Sequence, residues 1–125
     1  MSEYMTIDID ALKPGRQIDE LVAEKVMGWK PHTVDGKVLW THNETRQWSV
    51  TPDHLPRYST DIRQAWNVVM CMRFFESIPQ AWYVDGVGDC FSALFRRGAN
   101  AYRAKAATAP EAICKAALRN VGAGQ

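Results

Sequence analysis

Apolar residues recur every three to four positions in three segments of the chain, which predicts three α-helices. The first helix covers about residues 16–27, and Gly28 then supplies a left-handed stop. The last helix opens with Thr108 as its N-cap, Pro110 in the first turn and Glu111 closing a capping box. A single apolar stripe along this helix predicts one buried face.

The second helix has the clearest pattern, because residues 59–61 offer three N-cap oxygens immediately before apolar residues at helical spacing. These residues form a wide apolar face, and we expect the whole face to be buried. Trp66 lies on this face and is therefore predicted to be a core residue. The apolar members are Ile62, Ala65, Trp66, Val69 and Met70.

Between the helices the pattern becomes strand-like, with β-branched and aromatic residues bounded by turn residues. Asp35-Gly36 predicts a tight turn ahead of the first strand, and glycines mark the turns between the last three strands. We therefore expect a hairpin after the first helix and three adjacent antiparallel strands after the second. The five predicted strands are residues 37–41, 47–50, 81–84, 90–95 and 102–106.

This order of elements predicts an α+β fold, an α-β-α sandwich with a mainly antiparallel sheet of about five strands and three helices. Helices on both faces of the sheet would explain why strand residues such as Trp40, Phe91 and Phe95 are large and apolar. With 125 residues and 46% hydrophobic content, the chain has room for one ordinary core. We expect residues 1–125 to form a single domain.

Charge and cysteine content indicate the class of partner and the cellular setting. The net charge of +1 argues against a general nucleic-acid binder, but residues 96–125 carry +5 and the remainder −4. Such a basic cluster favours an anionic partner, although a solvated surface balanced by acids elsewhere gives the same pattern. Three cysteines without a close pair predict reduced, buried thiols, and no segment resembles a membrane helix or signal peptide. We expect a cytosolic protein with neither a membrane partner nor a stable nucleic-acid partner.

The sequence contains no recognisable catalytic or metal-binding motif. His32, His42 and His54 lie 10 and 12 residues apart, without the spacing that directs two imidazoles at one metal from a helix. The glycine-containing segment 85–89 resembles a hairpin turn, because no helix follows it to complete a phosphate cradle. We therefore expect no catalytic residues, no bound metal and no cofactor, and a function in binding.

Two segments carry cations in positions that suit a phosphate-bearing ligand. Arg57, Tyr58, Ser59 and Thr60 lead into the second helix, whose N-terminal N–H groups favour anions. Arg57 would form bidentate hydrogen bonds, and Tyr58 would offer a ring for stacking. The alternative interpretation is a capped helix preceded by a solvent-exposed arginine.

The second segment is the strand at residues 102–106, where alternation places Arg103 and Lys105 on one face. An exposed sheet face without any ligand gives the same pattern. Trp29, Trp82 and Tyr83 lie near turns and are candidates for stacking on a base or for a contact between subunits.

Three separated blocks of the sequence resemble the phage ABA-sandwich domain proteins. The blocks are LVAEKVMGW at residues 21–29, PRYSTDI at 56–62 followed by AW at 65–66, and APEAICKAAL at 109–118. They occur in the expected order and together span most of the chain. The resemblance implies an α-β-α sandwich encoded by a phage or prophage.

Small phage proteins of this size and shape are also similar to the anti-Thoeris sponges, which sequester a cyclic ADP-ribose isomer made by bacterial TIR enzymes without degrading it. This similarity implies a ligand with an adenine for stacking, a pyrophosphate for arginines and ribose hydroxyls for polar side chains. The residues of those types here are Arg57, Tyr58, Ser59, Thr60, Trp82, Asn100, Arg103 and Lys105.

The leading hypothesis is a phage anti-defence sponge that binds a cyclic nucleotide immune signal, a cyclic ADP-ribose isomer or a cyclic oligonucleotide, without cleaving it. It would act in the cytoplasm of the infected bacterial host as a homodimer or larger oligomer, with the ligand enclosed near a subunit interface. One alternative is a protein-interaction module that inhibits a host protein through an aromatic-rich patch. The other is an unrecognised hydrolase.

Overall fold

The computed structural model of the chain describes residues 8–42, 45–73 and 80–122. Within those ranges the helices are α1 (Arg16–Lys25), α2 (Ile62–Met72) and α3 (Ala109–Asn120), and two 3₁₀ turns cover Ile9–Ala11 and Pro52–His54. The strands are β1 (Trp29–Val34), β2 (Lys37–His42), β3 (Thr45–Val50), β4 (Ala81–Val87), β5 (Cys90–Arg97) and β6 (Asn100–Ala106). The fold belongs to the predicted α+β class.

Local capping sets the helix boundaries, as the sequence predicted. Asp61 caps α2, its side chain accepting a hydrogen bond from the backbone N–H of Arg63 at 2.9 Å. Thr108 caps α3, its hydroxyl accepting from the backbone N–H of Glu111 at 3.4 Å. Gly28 follows α1 with a φ of 86°, the left-handed conformation expected of a helix stop.

Strands β1, β2 and β3 form one antiparallel sheet in that order. Asp35 and Gly36, with φ of 51° and 77°, make the turn that places Val34 opposite Lys37. The predicted hairpin of β2 and β3 is present, and the sheet contains one strand more than the sequence predicted, β1. This strand is mostly exposed, and Pro31 is tolerated in it because β1 lies at the edge of the sheet.

Strands β4, β5 and β6 form a second antiparallel sheet, also in chain order. Its register places Val84, Ala93 and Ala104 side by side on the face that packs against α3. The predicted single sheet of about five strands is therefore replaced by two sheets of three strands each within the described ranges.

Helix α3 lies at the centre of the molecule, between the second sheet and the helices α1 and α2. Its residues 110–118 are all buried, so the predicted single buried stripe underestimates its burial. The small side chains of Ala112, Ala116 and Ala117 let neighbouring elements approach from several sides. Helix α1 packs in addition against β1 of the first sheet. Of the described helices, α3 packs on the inner face of the second sheet and none covers its outer face, whereas helices on both faces were expected.

Helix α2 buries less of its apolar surface than predicted. Ala65, Val68, Val69 and Met72 are fully buried, because this side of the helix faces the core. The expected burial of the rest of the apolar face is wrong, and Trp66 is not a core residue. The exposed fractions are 51% for Ile62, 44% for Trp66 and 47% for Met70.

Candidate functional site

A cavity of about 300 Å³ lies between the start of α1, the turn Pro52–His54 and the segment that leads into α2. Arg57 and Thr60, two of the predicted ligand-binding residues, line it. The full lining consists of Gly15, Arg16, Asp19, Glu20, Pro52, Asp53, Leu55, Arg57 and Thr60.

Ser59 supports the wall of this cavity from inside the protein. Its backbone N–H and its hydroxyl donate to Oδ1 of Asp19 at 2.8 and 2.7 Å, and the hydroxyl accepts from the N–H of Gly15 at 2.8 Å. Burial raises the pKa of Asp19, and the hydrogen bonds from Ser59 oppose that shift. Since Ser59 is fully buried and its hydroxyl is already paired, it holds α1 to the segment before α2.

Tyr58 is also part of the core, with 3% of its surface exposed. Its hydroxyl accepts a hydrogen bond from Nε1 of Trp29 at 3.2 Å. Burial raises the pKa of Tyr58 to about 12, and the bond from Trp29 partly opposes the shift. The ring presents no open face on which a ligand could stack.

Charges around the cavity nearly cancel. Arg16 is paired with Asp53 and, at 3.5 Å, with Glu20, so its guanidinium is already occupied. Arg57 is the second cation, and the lining contains three acids against these two arginines. The cavity therefore lacks the excess of positive charge that a phosphate site needs.

The other predicted cations lie on the opposite side of α3, on the face of the second sheet that points away from the core. The cross-strand register places Tyr83, Leu94 and Arg103 in one row, and Ser92 stands between Asp85 and Lys105 in the next. Arg103 and Lys105 are both exposed on this face, as the alternation predicted. We call this surface, formed by Tyr83, Asp85, Leu94, Arg96, Arg103 and Lys105, the outer sheet face.

The outer sheet face combines excess positive charge with an aromatic ring. Arg96, Arg103 and Lys105 are exposed, and Asp85 is the only acid of the face. Tyr83 is 56% exposed and its hydroxyl donates to Asp85 at 3.0 Å. That hydrogen bond raises the pKa of Tyr83, whereas the nearby charge of Arg103 lowers it. A planar ring thus lies close to a guanidinium that has no ion pair among the described residues.

Trp82 and Asn100 lie away from this cationic row. The indole of Trp82 points to the other face of β4 and meets Trp66 edge-on, with ring centroids 5.0 Å apart and planes at 90°. Asn100 is exposed at the start of β6, opposite Arg97. The eight predicted residues thus occupy several separate places within one subunit.

Trp82 belongs to an exposed apolar patch on α2 and β4. Ile62, Trp66 and Met70 follow one another at i, i+4 and i+8 along α2, and Trp82, 37% exposed, extends this stripe onto the sheet. We call these four residues the apolar patch. Contiguous exposed apolar groups of this size are typical of an interaction surface.

Arg96 was not predicted as a site residue, and Tyr83, which was predicted as a candidate for stacking, was not predicted to lie beside Arg103. Arg96 and Tyr83 join Arg103 on one face only through the pairing of β4, β5 and β6. The available signal was alternation within each strand, which says which residues share a face of that strand but not which strands are neighbours.

Potential metal ligands and thiols are scattered among the described residues. No group of three or more His, Cys, Asp or Glu side chains lies close enough within them to hold a metal ion. Burial raises the pKa of the Cys71 and Cys114 thiols, which makes both poor nucleophiles. Each helix within the described ranges is too short or too polar to span a membrane.

Comparison with known proteins identifies the family. The model of the phage ABA sandwich domain matches residues 20–118. A crystal structure of a phage protein from Bacillus cereus ATCC 14579 is 25% identical, covers 93% of this chain and 97% of its own, and superposes with a TM-score of 0.62. A search of curated proteins gave no match. The chain therefore belongs to the phage ABA sandwich domain family.

Proposed function

We propose that this phage protein binds and sequesters a phosphate-bearing nucleotide ligand without cleaving it, and that the ligand lies on the outer sheet face. One observation carries the proposal: Arg96, Arg103 and Lys105 are exposed on one open face beside the ring of Tyr83, with Asp85 as the opposing acid. This face has the excess positive charge that the Arg57 cavity lacks.

The chemistry of the face matches the parts of a nucleotide. Arg103 can form two parallel hydrogen bonds with a phosphate, and Lys105 adds a point charge two residues along the same strand. Tyr83 offers a ring on which a base can stack.

An open sheet face leaves one side of a ligand in water. A sponge that competes with an immune effector needs nanomolar affinity or better, about 12 kcal/mol, which requires most of the ligand to be buried. We therefore propose that the protein is a homo-oligomer in which a second copy covers the bound ligand. The apolar patch supplies exposed apolar side chains that can form the contact between subunits.

The finer identity of the ligand rests on resemblance. The anti-Thoeris sponges are similar small phage proteins, so we propose a cyclic ADP-ribose isomer or a cyclic oligonucleotide, bound in the cytoplasm of the infected bacterial host. Both ligand classes carry phosphates and flat bases, which are the groups that the outer sheet face can recognise.

The proposal is tested by capture and release. The purified protein is incubated with cyclic ADP-ribose isomers and cyclic oligonucleotides, separated from free ligand, and heated, and the released material is analysed by mass spectrometry. Release of intact ligand supports sequestration, whereas release of an altered ligand shows an enzyme. No capture of any ligand contradicts the proposal.

Matched variants locate the site. Arg103→Ala should weaken binding by about 1.5–3 kcal/mol, the contribution of a charge-assisted hydrogen bond, as measured by calorimetry. Arg63→Ala removes an exposed arginine from α2 and should leave the affinity unchanged. Arg57→Ala reports on the cavity beside α1, and a greater loss there than for Arg103→Ala would place the ligand in that cavity.

The apolar patch favours a second candidate function, the docking of a host protein. The patch of Ile62, Trp66, Met70 and Trp82 contains two tryptophans, and tryptophan is one of the residue types most often found at the energetic centre of interfaces. A protein with this function captures no nucleotide, forms no homo-oligomer and loses its partner when Trp66 is replaced.

A further inference from the structure

Strand β4 lies at one edge of the second sheet, because β5 is its partner on one side and no described strand pairs with its other side. We call that other side the β4 edge. An edge strand offers unpaired backbone N–H and C=O groups, with which a strand of another chain can pair. The sequence and register of β4 indicate which strand fits there.

The turn between β4 and β5 decides which residues face the β4 edge. Val87 pairs with Cys90 across a two-residue turn in which Gly88 has a φ of 62°. In such a hairpin the two residues beside the turn exchange both backbone hydrogen bonds, and every second residue along each strand does the same. The odd-numbered residues of β4 therefore bond to β5. The backbone groups that face the β4 edge are those of Trp82, Val84 and Gly86.

The β4 edge lacks the residues that usually prevent an edge strand from pairing. Proline and lysine are common on natural edges, because they hinder the approach of another chain. Strand β1 contains Pro31, and strand β6 contains Arg103 and Lys105. Strand β4 has the sequence AWYVDGV, without proline, lysine or arginine, and its aromatic and β-branched residues favour strand pairing. The β4 edge is open to a further strand.

Strand β4 is complementary to a second copy of itself. Val84 is its central residue, so an antiparallel pairing about a two-fold axis at Val84 keeps the whole strand paired. Trp82 then lies opposite Gly86 of the partner subunit, where the indole meets no side chain. Tyr83 lies opposite Asp85 of the partner subunit, so that a phenolic donor faces a carboxylate acceptor. Moving the axis to Asp85 would place the two Asp85 carboxylates opposite each other, which is unfavourable.

Strand β6, at the other edge of the same sheet, is not complementary to itself. Its central residue is Arg103, and the same two-fold pairing would place two arginines opposite each other. Its turn with β5 also has two residues, with a φ of 62° at Gly98. Ala101, Arg103 and Lys105 therefore face the free edge of β6, which serves as an internal control for the β4 edge.

We propose that β4 pairs with β4 of a second copy, antiparallel and centred on Val84, so that the two three-stranded sheets become one continuous sheet. Trp82 belongs both to this edge and to the apolar patch, so the pairing brings the patches of the two copies together on the inner face of the sheet. The outer sheet face of each copy stays open. This dimer therefore forms without a ligand, and a copy that covers a ligand is a further one.

Hydrogen exchange of the full chain, labelled with ¹⁵N and followed by NMR at several protein concentrations, tests the pairing. We expect the amide protons of Trp82, Val84 and Gly86 to be protected at high concentration and to exchange faster on dilution. Those of Ala101 and Arg103, on the free edge of β6, should exchange rapidly at every concentration. Equal exchange at the two edges would overturn the proposal.

Matched proline variants test the same pairing by sedimentation velocity. Gly86→Pro removes an N–H from the β4 edge without removing a side chain or a bond to β5, and should weaken the dimer about tenfold or more, since two equivalent hydrogen bonds are lost. Ala101→Pro makes the same change on the free edge of β6 and should alter dimerisation less than about twofold. The ¹H–¹⁵N spectrum of each variant checks that it is folded.

Three sedimentation results would overturn the proposal: a wild-type protein that is monomeric at all concentrations, a Gly86→Pro dimer as tight as wild type, or equal losses in the two variants. None of these measurements uses a nucleotide. Failure of the capture experiment therefore leaves this proposal standing, and failure here leaves the nucleotide site to be judged by capture.

Discussion

Tyr58 illustrates how burial changes the chemistry of a single residue. In water a tyrosine loses its proton near pH 10, whereas the pKa of Tyr58 in the folded protein is about 12 because a phenolate in the core would lose its hydration. Trp29 donates to the hydroxyl oxygen, which favours the charged form but does not outweigh burial. The residue therefore stays neutral wherever the protein is folded at moderate pH.

This shift predicts a loss of stability in alkali. Between about pH 10 and 12 the unfolded chain has released the Tyr58 proton and the folded chain retains it, so the free energy of unfolding falls as the pH rises. The full loss from Tyr58 is about 2–3 kcal/mol, reached near pH 12. We expect Tyr58→Phe, compared with wild type by urea unfolding at several pH values, to show a smaller alkaline decrease. Equal pH slopes for the two proteins would contradict the assignment.

The four residues at 57–60 show what residue type alone leaves open. Arg57 and Thr60 are exposed, whereas Tyr58 and Ser59 between them are buried. All four residue types suit a ligand site equally well. Which of them are buried is decided by a distant residue. Asp19, 40 positions from Ser59 in sequence, accepts hydrogen bonds from both the N–H and the hydroxyl of Ser59.

Helix α3 is the element on which the core depends, and it carries a buried ion pair. Nζ of Lys115 lies 2.8 Å from Oε2 of Glu111 and also donates to the backbone oxygen of Asp10 at 3.2 Å. The two side chains are 5% and 11% exposed. The sequence predicted that the Glu111 side chain would cap the helix, but in the structure it pairs with Lys115.

This pair predicts strongly non-additive effects of mutation. Lys115→Met leaves the Glu111 carboxylate buried without a counter-charge and should lower the free energy of unfolding by about 3 kcal/mol or more. Adding Glu111→Leu removes the uncompensated charge, so the double variant should be more stable than Lys115→Met alone. Urea unfolding of wild type, both single variants and the double variant measures the coupling. Additive losses would show that the two charges do not depend on each other.

Elements were predictable where their signals are local. The starts of α2 and α3 follow from Asp61 and Thr108, whose side chains cap a backbone N–H two or three residues later. Strand β1 was missed because its exposed sequence contains a proline and no sustained run of β-branched or aromatic residues, and its pairing with β2 makes it a strand.

At the scale of the whole molecule, the described residues form two different surfaces suited to contact. The outer sheet face is cationic, and the apolar patch joins α2 to β4 through the contact between Trp66 and Trp82. The patch could not be recognised from sequence, because Trp66 lies on the same apolar helix face as residues that are fully buried. Which apolar side chains of α2 face the core depends on which side of the helix packs against α3.

The apolar patch predicts self-association that a single charge abolishes. Trp66→Glu introduces a carboxylate into the patch, and we expect an oligomeric wild-type protein to become monomeric in sedimentation velocity experiments. The folded state should persist, since the Trp66 side chain is 44% exposed. Thr33→Glu adds the same charge to the exposed strand β1 and serves as the control. If the wild-type protein sediments as a monomer at all concentrations, the prediction that the apolar patch mediates self-association is wrong.

Sequence by itself determined the α+β class, the three helices and the shared face of Arg103 and Lys105, because helix caps, turns and strand alternation act over a few residues. The tertiary structure decided the division into two sheets, the burial of Tyr58 and Ser59, and the assembly of Arg96 and Tyr83 beside Arg103. These features depend on contacts between residues far apart in the chain. Their energies come from packing and pairing, which local patterns do not contain.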